Sequence, residues 1–109
     1  MDIESARRIL DTAERSTVQE AIRLQWIEAA IRYAELRVAW WTAAPDERRN
    51  MDASRTAAHD AFIDCCNILS RAMAAAGEPN GWRAEIGVER GEIGDFACVL
   101  HCVLGLKAR

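Results

Sequence analysis

Apolar residues recur along the chain at alternating steps of three and four, the spacing of one helical face. Ile3, Ala6, Leu10 and Ala13 make a thin stripe over about residues 3–15. A helix this short needs a packing partner to be stable. Thr17-Val18-Gln19-Glu20 has the form of a capping box and restarts or bends the chain as a second helix, which runs to about Thr42 and stops before Pro45. Asp46-Glu47-Arg48-Arg49-Asn50 reads as a connection. A third helix is predicted over roughly 52–76, capped by Asp52 or Asn50, with Gly77 and Pro79 ending it. Its predicted core stripe is Ala58, Phe62, Cys65, Leu69, Ala72 and Ala76. Residues 77–94 hold five of the six glycines and read as irregular, with one helical turn around Trp82–Ile86. A last helix covers about 92–107. One of its faces carries Ile93, Phe96, Leu100, Val103 and Leu104, and the other carries the small residues Gly94, Cys98, His101, Cys102 and Gly105. A helix with one apolar and one small-residue face is expected to lie at the centre, closely approached on both sides. The expected fold is therefore all-α: one domain, a compact bundle of about four main helices with a short helical turn before the last.

The second helix differs from the rest. Ile22, Trp26, Ala29, Tyr33, Leu36 and Trp40 follow one helical seam, and Leu24, Ile27, Ile31, Ala34, Val38 and Trp41 follow another. At about 100° per residue the two seams are centred about 150° apart. One faces the core of the domain. The other needs a second apolar surface, from the remaining helices or from a partner. The first seam carries Trp26, Tyr33 and Trp40, so the peripheral seam is assigned to Ile27, Ile31, Val38 and Trp41. Trp40 and Trp41 are adjacent and cannot both enter one core, so at least one is expected at the periphery.

Composition narrows the function classes. Half of the 109 residues are hydrophobic, 28% are charged, and the net charge is −3. These values suit a globular domain and disfavour a nucleic-acid binder, which needs a basic face. Met1-Asp2-Ile3-Glu4-Ser5 is not the start of a secretory signal, and no apolar run approaches the roughly 18 residues of a membrane span. The expectation is a cytoplasmic protein without nucleic-acid or membrane partners, its four cysteines free thiols.

Candidate chemistry is sparse. Cys98, His101 and Cys102 stand at i, i+3 and i+4, within one helical turn, and Cys65 or Cys66 from the third helix would complete a tetrahedral set. The spacing is not that of common zinc sites, and small thiols also pack helices closely. No metal or cofactor is therefore expected. A small-ligand site built on His59, Cys98, His101 and Cys102 is the alternative. His59 lies two turns before Cys66 but has no oxyanion partner, so no catalytic residue is assigned. Asp60, Asp64, Asn67 and Arg71 read as a solvated face. The glycines of Gly87–Gly94 lack the Lys-Ser/Thr of a phosphate loop and stand among Glu89, Glu92 and Asp95.

Three segments resemble a family of small bacterial helical proteins of unknown function, found in bacterial genomes and mobile elements. They are Arg55-x3-His59-x2-Phe62-Ile63, Asn67-Ile68-Leu69-x-Arg71, and Arg90-x2-Ile93-Gly94-Asp95-Phe96-Ala97-Cys98. The resemblance covers roughly residues 55–104. It implies a compact helical domain, no activity and no catalytic residues. Together with the small size and acidic charge, it suggests a phage or mobile-element accessory protein that inhibits a host protein by binding it. The expected partner is a protein, or a second copy through the second helix. The chain is not expected to be an enzyme.

Overall fold

The computed structural model describes residues 1–108. It contains five helices: α1 (Ile3–Glu14), α2 (Glu20–Thr42), α3 (Pro45–Ala75), the short α4 (Trp82–Ile86) and α5 (Arg90–Lys107). There is no strand among the described residues. α2 packs on α3 and α5, α1 packs on α5, and α5 touches each of the other four. The predicted all-α bundle is the observed fold.

Local chemistry sets the helix ends. The Asp2 carboxylate accepts from the amide of Ser5 at 2.7 Å and caps α1. α3 ends in a Schellman motif. Gly77 takes φ +73°, Glu78 N donates to the Met73 carbonyl at 2.9 Å, and Gly77 N donates to Ala74 O at 3.0 Å. At the start of α5, Glu89 and Glu92 form a reciprocal capping box.

Two predicted boundaries are corrected. Pro45 stops α2, and it also opens α3 from the first helical position, where its missing N–H costs nothing. The charged run 46–50 is thus the first turns of α3 and not a connection. Ala44, forced extended before the proline at ψ 155°, is the break. Arg48 reaches back from α3, its Nε donating to Trp40 O and its Nη2 to Trp41 O, each at 3.0 Å. It satisfies carbonyls at the end of α2, where the helix dipole favours a cation. At 31 residues, or about 46 Å at ~1.5 Å per residue, α3 spans the longest dimension of the molecule, 47 Å.

The capping box at Thr17–Glu20 does not form. Thr17 instead gives both its amide and its hydroxyl to Glu78 Oε2, each at 2.9 Å, and the Ser16 hydroxyl donates to Glu78 Oε1. A charged acceptor from the turn just after α3 outcompetes the local cap. These bonds hold the Glu78 carboxyl below its ordinary value of 4.5. The folded state therefore favours the carboxylate, and the contribution is complete above that ordinary value. It is lost as pH falls through the lowered one. Glu78→Gln is expected to lower stability at neutral pH and to flatten the acid limb of a urea-midpoint-against-pH curve. An unchanged acid limb would remove Glu78 from the pH dependence.

The core is aromatic at its centre. Trp26 lies 5.8 Å from the ring of Trp82 and 6.2 Å from that of Phe96, and Phe96 stacks on Phe62 at 6.0 Å. α1 contributes Ala6, Leu10 and Ala13 as predicted. Ile9 joins them, whereas Ile3 stays exposed. The buried stripe of α3 is Ala58, Phe62, Cys66, Leu69, Ser70 and Met73. Cys66 takes the place predicted for Cys65, and Met73 that of Ala72. The predicted stripe already averages about 3.6 residues per turn, so periodicity alone does not separate it from the observed line; the packing of Trp26 on Cys66 sets the register. Trp26 Nε1 donates to Cys66 Sγ at 3.3 Å, and burial pushes the Cys66 thiol up to about 12.

Candidate partner-binding face on α2

α2 is apolar on two sides, and the structure buries one of them. Trp26, Ala30 and Tyr33 are buried against α3 and α5. On the other side Leu24, Val38 and Trp41 are 48%, 50% and 53% exposed. Ile27 and Ile31 lie between them, half-buried, with Ile27 also touching the core. Ala34, the small member of this seam, is buried. The four residues assigned to a peripheral seam, Ile27, Ile31, Val38 and Trp41, thus lie along one side of α2, most open at its C-terminal end.

The adjacent tryptophans separate as expected. Trp40 is half-buried under two guanidinium groups, Arg48 at 4.5 Å and Arg55 at 4.2 Å from its ring centre. Trp41 faces outward, with Arg37 at 5.0 Å from its ring. The arginine cover on Trp40 was not read from the sequence. Its signal is the placement of Arg48 and Arg55, one and three turns into α3, once Pro45 is recognised as the start of that helix.

Arg37 links α2 to α5. Its Nη1 donates to Asp95 Oδ1 at 3.0 Å and lies 3.9 Å from Cys98 Sγ. The guanidinium rests over Gly94, where a Cβ would come within 2.6 Å of it. This explains the burial of Gly94 and the half-burial of Cys98. Desolvation there raises the Cys98 thiol above its ordinary value. Beyond Arg37 the small-residue face of α5 opens. His101, Cys102 and Gly105 are exposed, and with Leu106 they line an open hollow of about 400 Å³. The expectation that α5 is closely approached on both sides is therefore corrected: Cys98 is half-buried and Cys102 exposed. The covered face bears Ile93, Phe96, Ala97, Leu100 and Val103, all buried, whereas past Arg37 the face with His101, Cys102 and Gly105 is exposed.

The alternative ligand set is not assembled. His59 projects from α3 with its Nδ1 3.0 Å from Asp60 Oδ1 and its ring edge-on to Tyr33 at 5.5 Å. Cys98 turns toward Arg37, and His101 and Cys102 turn outward. Cys66 is committed to Trp26. Among the described residues no three His, Cys, Asp or Glu side chains converge as metal ligands, and no helix is long and apolar enough to cross a membrane.

No family model, curated protein or solved structure matches the chain.

Proposed function

We propose that this chain is a protein–protein interaction module whose docking face is the outer seam of α2, centred on Ile27, Ile31, Val38 and Trp41. The observation that carries this reading is the half-exposure of Leu24, Val38 and Trp41 on one side of a helix whose other side already fills the core. Large aromatic and branched side chains aligned on a rigid helix are typical anchors of an interface. A small acidic protein with such a face suits an inhibitor that covers a functional surface of another protein.

The test is Val38→Glu combined with Trp41→Glu. Both positions are exposed, so the double variant is expected to keep its helical far-UV circular dichroism, with a stability change of about 1 kcal/mol or less. It is expected to lose self-association, or binding of the native partner, by light scattering and co-purification. Unfolding of the double variant would make the seam part of the core. A monomeric wild type that loses no bound protein on substitution would end the docking reading.

A further inference from the structure

We infer that the occupant of the α2 seam is an amphipathic helix of a different protein, one that carries Lys or Arg at heptad spacing beside its apolar stripe. The inference rests on the docking reading above and specifies the chemistry of the partner.

The seam has a repeat of seven. Leu24, Ile31 and Val38 stand seven apart, and so do Ile27, Ala34 and Trp41, each three residues later. Those are a and d positions of three successive heptads, the pattern that packs one helix lengthwise against another; Ala34 is buried within this fold, so the row left to a partner is Leu24, Ile31 and Val38 with Trp41. A seam of this kind matches a helix better than a loop or a strand edge.

Charge then selects the helix. Glu28 and Glu35 occupy the same flank of the seam in successive heptads, about 10 Å apart along the axis at ~1.5 Å per residue. Both are exposed, and among the described residues neither forms an ion pair or a side-chain hydrogen bond. Arg32 lies about 40–60° further round the helix, away from the seam. The other flank holds Arg23, Ala30 and Arg37. Ala30 is buried, Arg23 donates to the carbonyls of Ser16 and Val18, and Arg37 is bonded to Asp95. The open charge beside Leu24, Ile31 and Val38 is that of Glu28 and Glu35, whereas on the other flank Arg23 keeps its charge, its bonds going to neutral carbonyls, and Arg37 shares its charge with Asp95; the chain as a whole carries −3. A basic flank on the incoming helix is complementary to both.

The same arrangement disfavours a second copy. An antiparallel pair of α2 helices centred on Ile31 would place Leu24 against Val38, but would also bring Glu28 up to Glu35 of the other copy. A parallel pair would set Glu35 against Ala30 and Glu28 against Arg23, whose guanidinium is bonded to the Ser16 and Val18 carbonyls, so it offers at most one complementary pair.

The experiment uses two labelled peptides of three heptads with the same Leu/Ile seam, one flanked by Lys and the other by Glu, titrated with the full chain by fluorescence anisotropy. The Lys peptide is expected to bind about tenfold or more tightly than the Glu peptide at low salt, with the gap narrowing as salt is added. Glu28→Lys combined with Glu35→Lys is expected to reverse the preference, and Val38→Glu to abolish binding of both peptides. Circular dichroism of each variant checks that the fold is kept. Equal binding of the two peptides would leave the docking face standing and overturn the basic-partner inference. No peptide binding, with a wild-type dimer that Val38→Glu dissolves, would make a second copy the occupant and also overturn it. No peptide binding by a monomeric wild type would remove both readings.

Discussion

Trp26→Ala is expected to lower the unfolding free energy by about 3–5 kcal/mol, as for other buried aromatic truncations. A domain of this size is typically stable by only ~5–15 kcal/mol, so the variant stands near the limit of folding. The indole is fully buried, packed against Trp82 and Phe96 and bonded to Cys66 Sγ. Alanine there leaves a cavity among rigid rings that cannot collapse to fill it. Trp41→Ala is the matched comparison on the same helix. Trp41 is 53% exposed and its one aromatic contact is the Arg37 guanidinium. Its loss is expected to cost about 1 kcal/mol or less. Urea titrations of the two variants, read by far-UV circular dichroism, give both numbers. Equal costs would erase the division of α2 into an inner and an outer side.

Leu100→Ala is expected to cost about 2–5 kcal/mol. Leu100 is fully buried at the middle of α5, the helix that touches all the others, so a void there is bounded by several elements at once. The adjacent His101 points to solvent, and His101→Ala is expected to stay within about 0.5 kcal/mol of the wild type. A Leu100→Ala cost below about 0.5 kcal/mol would mean that α5 presents a different face to the core.

Features that depend on neighbouring residues were legible before the structure. The buried Trp26 and Tyr33 of α2, the Leu100 face of α5 and the stop at Gly77 follow from residues within a few turns of one another, and each stands where periodicity and capping chemistry put it; of the second α2 seam, Leu24, Val38 and Trp41 are exposed but Ala34 is buried. The failures share a different cause. The Thr17 cap is lost to Glu78, which lies 61 residues away. The burial of Gly94 depends on Arg37, a residue of another helix. Cys65 and Cys66 are neighbours in the stripe, and Trp26 decides between them. Pro45 is ambiguous for a local reason: the same ring that forbids a helix behind it favours one ahead, and the charged run after it has the composition of a loop. The candidate face was legible as surplus apolar surface. Its acidic flank becomes informative only once Arg23 and Arg37 are seen to be occupied.

The ties of α1 bear on the order in which the molecule assembles. α1 packs on α5; Arg8 pairs with Glu85, Ser16 with Glu78, and Lys107 with Asp11 and Glu14. Every one of these partners comes after α3. α2 and α3 form a hairpin of neighbours in the chain, able to close quickly because the loop between them is only Ala43–Ala44. α1 packs on α5, so its docking joins the first and last helices of the chain and closes the longest loop in the fold, an entropic cost that grows only slowly with loop length.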